Sequence, residues 1–400
     1  MKKLLLSLVL LLASGAAFGV GCTGTGSCYF VINGSTCTTP ANINNTLCWA
    51  TTSGGAVTGG LPGSTDDCYW DSASNNASYT VTVNATNTCR AVTTTAPSSG
   101  NLTFGGGSNF RVFGNISLYS GMIWGGTGTS LIPLAATSGS FSITTNGVSL
   151  PSGGISTAAA ATTTWTLNDN LTTLGSVVWN CSATCTLVLN GKTLTTTTFS
   201  MGSSAILSMD AGTIVANGNG GGISFASGVL SPTPSSTSVV RMAGTGGDST
   251  FTGNGNTLGT LDLQNTGSTI VTISGNNTFN DITSNYSGAR TVKFTTGSTQ
   301  HFANWHLSGS SGNLITLDPT TTTGTATIDY TGSGVVSANY LTLNVETGDT
   351  FNCTDTGSTN TKWYLGTGSG KATSSTVSAG CLFLSAPTSG KYRNMFQLAN

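Results

Sequence analysis

Charged side chains are scarce in this chain of 400 residues: Asp, Glu, Lys and Arg together make up 6% of it, against about 25% in a typical soluble domain. Glutamate occurs once, at Glu346. The surface must therefore be hydrated by Thr, Ser, Asn and the backbone. No stretch of the sequence clusters Lys and Arg as a nucleic-acid-binding protein requires, and this excludes nucleic acid as a partner.

Long hydrophobic runs are lacking except at the N-terminus. There, a positively charged start is followed by an apolar run over residues 4–13 and by Ala-Phe-Gly at residues 17–19. The run is shorter than the ~20 residues of a membrane-spanning helix, so the pattern predicts a signal peptide over residues 1–19. We therefore expect a secreted protein, extracellular or on the outer cell surface. Cys22 could carry a lipid, but Gly19 stands where a large aliphatic residue is normally found.

Helical patterns are nearly absent, whereas strand patterns fill the rest of the sequence. Residues 80–84 and 141–144 alternate polar and apolar side chains with the period of a half-buried strand. Asn-Gly, Gly-Ser and Thr-Gly pairs separate such stretches, as turns do. Disorder is excluded because the net charge is small and the mean hydropathy is slightly positive. The sequence predicts a folded, all-β protein.

A repeat of about 22 residues distinguishes between all-β architectures. Its unit is an apolar residue, two small or polar residues and a second apolar residue, and copies occur at residues 258–261, 279–282 and 302–305. A looser fourth copy spans residues 336–343. Further short strands lie between the copies, at residues 269–273, 292–294 and 314–317. Such spacing predicts the stacked coils of a parallel β-solenoid, or β-helix; a sandwich or barrel of hairpins is the alternative.

Ten cysteines in an exported chain predict disulfides. They form an N-terminal group of six and two later pairs: Cys22, Cys28, Cys37, Cys48, Cys68, Cys89, then Cys181 and Cys185, then Cys353 and Cys381. The even number in each group predicts closure within groups, while the pairing of the first six stays open, since six cysteines allow fifteen connectivities. A metal site at the Cys181 pair is the alternative, but no second pair accompanies it.

These observations predict four segments. They are a signal peptide (1–19), a cysteine-rich β cap or module (20–95), the β-solenoid (96–350) and a C-terminal cap with a disulfide (351–400). A solenoid needs caps because its terminal strands would otherwise be unpaired.

Two stretches resemble the repetitive β-helix proteins common in tailed-phage and environmental bacterial genomes. The first combines Thr-Thr-Ser-Gly-Gly-Ala at residues 51–56 with Leu-Pro-Gly-Ser-Thr-Asp-Asp-Cys-Tyr-Trp-Asp at residues 61–71; the second spans residues 289–317. The resemblance implies a structural or adhesive role, as in tail-fibre-like or cell-surface proteins, often as homo-oligomeric trimers. It supplies no catalytic residues. The signal peptide and the many cysteines depart from that pattern and favour export to a cell envelope.

Asp66, Asp67 and Asp71 form the acidic cluster of the sequence. Their carboxylates could contribute to a Ca²⁺ site, which requires six to eight oxygen ligands. The alternative is a turn in which the Asp side chains accept backbone N–H groups. The spacing matches no standard calcium loop and favours the turn, so calcium is the single cofactor that the sequence raises.

Catalytic candidates are few. His301 and His306 are the two histidines, and their odd spacing on a strand predicts opposite faces, which argues against a shared site. Solenoid polysaccharide lyases and hydrolases need converging carboxylates. Asp262 and Asp281 lie at similar, imperfectly matched positions of adjacent coils, and Asp318 lies farther along the next strand.

Sugar stacking and hydroxyl-rich surfaces are the remaining binding features of the sequence. Aromatic rings could stack on sugars or fill the core; the tryptophans considered are Trp124, Trp165, Trp179, Trp305 and Trp363. Threonine runs at residues 195–198 and 320–323 raise ice or surface binding as a third option. We predict a secreted structural or adhesive solenoid that binds a surface glycan or other polymer, or assembles with itself, and that is not an enzyme. A carbohydrate-active β-helix enzyme is the alternative.

Overall fold

The chain was analysed as a computed structural model. The residues that it describes are 22, 24, 26–75, 77–125, 130–157, 162–226, 229–230, 235–266, 270–284, 286–321, 324–332, 336–338, 340–343, 349–355, 363–366 and 381–384. The predicted signal peptide, residues 1–19, lies outside them. The chain divides into two compact units, residues 1–135 and 136–400.

The first unit contains twelve strands and one short 3-10 helix, Thr46–Cys48, among its described residues. The strands are β1 (Ser27–Phe30), β2 (Ala41–Asn42), β3 (Trp49–Ala50), β4 (Asp67–Trp70), β5 (Tyr79–Thr82), β6 (Asn87–Cys89), β7 (Val92–Thr94), β8 (Leu102–Gly105), β9 (Phe110–Val112), β10 (Ile116–Ser117), β11 (Ile123–Trp124) and β12 (Ile132–Leu134).

The strands of the first unit form three parallel sheets. One sheet orders β1, β4, β7 and β10, with β3 antiparallel to β1 at its edge. The second orders β2, β5, β8 and β11, and the third orders β6, β9 and β12. Cys68 lies beside Val92 and Val92 beside Ile116, so the chain returns to the same sheet after each coil. This is the geometry of a parallel β-solenoid.

The second unit continues with strands β13 to β38. They are β13 (Gly139–Thr144), β14 (Ser149–Leu150), β15 (Ile155–Thr157), β16 (Thr163–Leu167), β17 (Leu171–Thr173), β18 (Val177–Trp179), β19 (Cys185–Val188), β20 (Thr193–Thr196), β21 (Phe199–Met201), β22 (Ala205–Ser208), β23 (Thr213–Ala216), β24 (Ile223–Phe225), β25 (Val239–Met242), β26 (Ser249–Thr252), β27 (Thr257–Leu263), β28 (Ile270–Ser274), β29 (Asn277–Thr283), β30 (Arg290–Phe294), β31 (Thr299–His306), β32 (Ile315–Pro319), β33 (Gly324–Tyr330), β34 (Val336–Ala338), β35 (Leu341–Leu343), β36 (Asp349–Asp355), β37 (Trp363–Gly366) and β38 (Cys381–Leu384).

Three long parallel sheets also build the second unit. The first contains β13, β16, β19 and β22. The β14–β36 sheet orders β14, β17, β20, β23, β25, β27, β29, β31, β33 and β36. The β15–β35 sheet orders β15, β18, β21, β24, β26, β28, β30, β32 and β35. Strands β34, β37 and β38 form a short fourth sheet. The prediction of a parallel β-solenoid is confirmed.

The repeat found in the sequence is a register of the β14–β36 sheet. Leu258 lies beside Phe279, and Phe279 lies beside Phe302. The second apolar position of each copy is aligned in the same way, at Leu261, Ile282 and Trp305. Three of the proposed copies are therefore confirmed as successive coils.

The fourth proposed copy, residues 336–343, is wrong. The strand beside β31 is β33, which places Tyr330 next to Phe302, while β35 pairs with β32 in the other long sheet. The apolar spacing of a short strand fits more than one face of a coil, so spacing alone does not assign a segment to its sheet.

Aromatic side chains stack from coil to coil inside the second unit. Phe225 packs on Phe251 with ring centroids 6.0 Å apart, and Phe251 on Phe279 at 5.6 Å. Phe279 and Phe302 lie nearly parallel at 5.2 Å. All four rings are buried, and aromatic pairs at such distances contribute about 0.5–1.5 kcal/mol each beyond the area they bury.

One corner of the second unit contains a buried ladder of amides. The Nδ2 of Asn277 donates to the Oε1 of Gln300 in the next coil at 2.7 Å and to the backbone oxygens of Ser274 and Gly275. Asn256, in the preceding coil, donates to the oxygens of Ala226 and Gly253. These side chains satisfy carbonyl groups that the corner removes from the sheets.

We expect Asn277→Ala to lower the free energy of unfolding of the second unit by about 2–3 kcal/mol, because buried carbonyl acceptors lose their donor. Thr278→Ala, one residue along and facing outward, is the matched control and should change it by less than about 0.5 kcal/mol. Urea unfolding followed by circular dichroism measures both. Equal losses for the two variants would contradict the corner's role.

The cysteine-rich segment forms part of the first unit's solenoid and is not a separate cap. The boundary expected near residue 95 falls inside one coil, between β7 and β8, and β4 pairs directly with β7 across the two sides of that coil. The division of the chain lies at residue 135 instead. A high density of cysteines marks where coils are cross-linked, which differs from where a compact unit ends.

Disulfides join Cys37 to Cys48, Cys68 to Cys89 and Cys181 to Cys185, each within one of the groups that the sequence defines. Cys353 is also disulfide-bonded, and the side chain of Cys381 lies outside the described residues. Cys22 and Cys28 are buried thiols. A hydrogen bond between them lowers the pKa of Cys22, and a disulfide between these two stays a prediction.

Candidate functional site

The carboxylate of Asp66, the first member of the acidic cluster, is fully buried. It accepts backbone N–H groups from Gly24 at 3.0 Å, Gly26 at 3.0 Å and Gly63 at 2.9 Å. Three such donors satisfy a buried carboxylate without a cation. Asp66 thus fastens the start of the described chain to the turn that precedes β4.

The other two aspartates of the cluster have separate partners. Asp67 receives two hydrogen bonds from Arg90, from Nε and Nη2, at 2.6 Å each. Asp71 accepts the backbone N–H of Ala73 at 3.0 Å and also contacts the hydroxyl of Ser74, as in an Asx turn. Among the described residues, no group of three or more His, Cys, Asp and Glu is placed to hold a metal ion.

We expect a calcium chelator to leave the melting temperature of the full-length protein unchanged, because the aspartate oxygens of this cluster already accept protein donors. Thermal unfolding with 1–5 mM EDTA, compared with excess Ca²⁺, measures this (chelator at roughly 10³ times a micromolar protein, enough to empty a micromolar site). A melting temperature that rises with Ca²⁺ would contradict the expectation and locate a cation site that the turn reading misses.

Charged and polar side chains concentrate on the outer face of the β14–β36 sheet. We define the outer polar cluster as Arg241, Asp262, Gln264, Asp281 and His306. The Nε of Arg241 donates to Asp262 at 2.7 Å, and the Nε2 of Gln264 donates to the other oxygen of Asp262 at 2.9 Å. His306 Nδ1 lies 2.8 Å from Asp281. In a chain with so few ions, this is a local enrichment of hydrogen-bonding groups.

The outer polar cluster follows the coil register. Arg241 lies beside Asp262, and Asp262 lies beside Thr283, which lies beside His306. Asp281 is two residues from Thr283 on the same strand, so Asp262 and Asp281 are diagonal neighbours, for which the spacing is about 7–8 Å. Sequence reasoning found Asp262 and Asp281 but missed Arg241; the signal was its 21-residue distance from Asp262, which equals one coil.

The prediction that His301 and His306 face opposite sides of their strand is wrong. Both point outward, and their side chains are 37% and 65% exposed. The alternation breaks between Phe302 and Trp305, where Ala303 and Asn304 both face outward. The break belongs to the repeat itself, since an apolar residue recurs after three positions in each copy. That spacing in the sequence already carried the signal.

The two histidines nevertheless do not share a site. His301 Nδ1 lies 2.7 Å from the Oδ2 of Asp329 in the following coil, and Thr354 donates to the other oxygen of that carboxylate at 2.7 Å. His306 turns to the preceding coil, to Asp281. Each histidine thus bridges neighbouring coils through a carboxylate.

The outer face of the β15–β35 sheet carries a column of small hydroxyl side chains. We call it the hydroxyl column; its register runs through Ser156, Val178, Ser200, Ser224, Thr252 and Ser274. Beside it, Gly222 lies between Thr198 and Thr250 and leaves a shallow depression over Phe199 and Ile223. The hydroxyls repeat at the strand spacing of about 4.8 Å.

Four of the tryptophans considered for sugar stacking lie in the core. Trp165 and Trp179 are fully buried, and Trp124 and Trp305 are exposed by only 5% and 6%. The side chain of Trp363 lies outside the described residues. The threonine run at 195–198 is split between faces: Thr195 points outward, whereas Thr196 is buried and donates to the oxygens of Gly175 and Thr198. Part of the run at 320–323 lies outside the described residues.

Asp318 lies on the β15–β35 sheet, away from Asp262 and Asp281. Its carboxylate is 3.5 Å from the Nζ of Lys293, its neighbour in the preceding coil. The three carboxylates considered for a solenoid hydrolase are therefore distributed over two sheets. Two of them, Asp262 and Asp281, share a face.

Comparison with known proteins supplies no match: no family model, curated protein or solved structure is similar to this chain at a significant level. None of the helical residues described here forms a segment with the length and hydropathy of a membrane span. The function must therefore be argued from the surface of the solenoid itself.

Proposed function

We propose that this protein is a secreted or cell-surface structural or adhesive solenoid that binds a hydroxyl-rich surface polymer along the outer faces of its second unit. The observation that carries the proposal is the hydroxyl column, in which outward groups recur from coil to coil in one register. A polymer also repeats, so a linear array of weak donors and acceptors can add its contacts along one chain.

The charge distribution supports a neutral polymer. Arg241 pairs with Asp262, and Lys293 pairs with Asp318, so these side chains neutralise one another between coils. Such pairs give little long-range attraction for a strongly charged ligand. They leave exposed donors, Arg241 above all with 41% of its side chain accessible, to hydrogen-bond with hydroxyl groups.

Export and assembly fit the same proposal. Disulfides favour an oxidising, extracellular compartment, and the resemblance of the sequence to tail-fibre-like and cell-surface β-helix proteins favours an adhesive role. Those proteins often form trimers, so self-assembly into a homo-oligomer is part of the proposal. In that case the outer faces would bind a second copy in place of a foreign polymer.

A carbohydrate-active enzyme is the second candidate, favoured by one observation. Asp262 and Asp281 lie diagonally on one outer face, and inverting glycosidases place their two carboxyl groups about 6.5–9.5 Å apart. Against this, Asp262 is held by Arg241 and Gln264 and is 4% exposed. A general acid needs a raised pKa and access to the glycosidic oxygen. We therefore propose binding without turnover.

The test is a glycan array and a polysaccharide-degradation screen with the full-length secreted protein. We expect retention on at least one neutral polysaccharide and no released oligosaccharide. Ser224→Arg, which fills the hydroxyl column, should weaken retention about tenfold, whereas Thr186→Arg, on the outer face of β19 in the sheet built by β13, β16, β19 and β22, is the matched control and should retain binding.

Released oligosaccharide that disappears in Asp262→Asn or Asp281→Asn would overturn the non-catalytic proposal and establish the enzyme instead. Absence of binding to every polysaccharide, together with concentration-dependent assembly in analytical ultracentrifugation, would overturn polymer binding in favour of self-association.

A further inference from the structure

Two tyrosine rings lie on the outside of the first unit, on the sheet that contains β1, β4, β7 and β10. Tyr29 and Tyr69 occupy neighbouring positions of β1 and β4. Their ring centroids are 4.8 Å apart with an interplanar angle of 16°. Both side chains are partly exposed, in contrast to Trp49 and Trp70, which are buried in the core of the same unit.

A planar ion pair lies beside the tyrosines. Asp67 is two residues before Tyr69 on β4 and receives both hydrogen bonds from Arg90. The side chain of Arg90 is 49% exposed and that of Asp67 19%. Ser27 stands next to Asp67 in the register of β1 and β4. The surface thus combines two aromatic faces with a guanidinium, a carboxylate and a hydroxyl.

The ionisation of these groups is fixed near neutral pH. Burial, and then the negative charge of Asp67, raise the pKa of the Tyr69 phenol. The hydrogen bond from Asp67, and then its charge, raise the pKa of Arg90. The phenol therefore stays neutral and the ion pair stays formed, so the surface as a whole carries no net charge.

Coil stacking alone does not require tyrosine at these positions. The same outward column continues through Thr93 on β7 and Ser117 on β10, and those coils pair with small hydroxyl side chains. Cross-strand aromatic pairs do stabilise a sheet, but this contribution leaves unexplained why a hydrogen-bonding ion pair stands at the edge of the rings. Aromatic faces beside planar polar groups match a ligand that is apolar on one face and hydroxylated at its rim.

We propose that Tyr29, Tyr69, Asp67 and Arg90 form a binding subsite for a pyranose unit of a neutral glycan. The C–H face of the sugar packs on the exposed aromatic surface, Arg90 donates to sugar hydroxyls, and Asp67 accepts from them through its remaining lone pairs. Ser27 extends the rim. The inference rests on the proposed function, because it names the class of polymer that the adhesive protein binds, and it places a contact in the first unit in addition to those of the second.

The test is isothermal titration of the full-length protein with cellohexaose, xylohexaose, mannohexaose and the hexamer of N-acetylglucosamine. We expect one of these to bind, and Tyr69→Ala and Tyr29→Ala each to weaken its Kd about tenfold. Tyr69→Phe, which keeps the aromatic face, should change Kd less than about threefold. Arg90→Gln should weaken binding by removing the donor, and Thr93→Ala, on the same column but outside the subsite, is the matched control.

The outcomes separate the two proposals. Binding of a hexasaccharide that Tyr29→Ala, Tyr69→Ala and Arg90→Gln leave unchanged would overturn this subsite while the adhesive function stands. Failure of the unmodified protein to bind any of the four sugars, although it is retained on a polysaccharide, would also overturn the subsite. Failure to bind any polysaccharide overturns the proposed function and the subsite together. Should the alanine variants not fold, Tyr69→Phe compared with Arg90→Gln decides, since only the second is expected to lose affinity.

Discussion

The parallel, in-register stacking of neighbouring coils is the constraint on which the other features of this protein depend. Each strand donates and accepts along the solenoid axis, so the backbone is satisfied whatever the side chains are. A sequence poor in charge and rich in Thr, Ser, Asn and Gly can therefore fold without the ion pairs and long aliphatic side chains of an average domain. Register in turn places like positions of successive coils side by side, and this creates the aromatic stack inside and the columns outside.

The few charged residues are used in a way that the stacking explains. Arg241 and Asp262, Lys293 and Asp318 are direct neighbours in adjacent coils, so opposite charges meet where like charges would repel. The histidines likewise reach carboxylates one coil away. Most of these pairs are partly exposed, where an ion pair contributes little to stability. Their consequence for function is a surface with many hydrogen-bonding groups and little net charge.

Much of the fold could be predicted from the sequence because coil length is written into the apolar pattern. The spacing from Leu258 to Phe279 to Phe302 gave the register of three strands directly. The segment at residues 336–343 could not be assigned in the same way, because a short apolar strand fits any face of a coil until the backbone pairing is known. The histidine faces failed for a related reason: strict alternation was assumed across a strand whose repeat contains two adjacent outward residues.

The candidate sites were less predictable than the fold. Asp66 and Asp71 accept backbone N–H groups, as the turn interpretation required, but nothing in the local sequence indicates that Asp67 pairs with Arg90, 23 residues away. The same holds for Tyr29 and Tyr69, which are 40 residues apart in the chain and stack only because the coils bring them together. Contacts between coils depend on the length of every turn in between, and turn lengths vary along this solenoid.

The most direct test of the account is whether outward side chains of adjacent coils stand in the register described. Cysteines introduced by Thr257→Cys and Thr278→Cys would occupy neighbouring positions of β27 and β29, at the strand spacing of about 4.8 Å that a disulfide can bridge. Mild oxidation should cross-link this pair rapidly in the folded protein, as measured by peptide mass spectrometry. The pair Thr260→Cys with Thr278→Cys, three residues out of register, should remain reduced. Equal cross-linking of both pairs, or cross-linking of the second alone, would contradict the stacking on which the columns and their proposed binding depend.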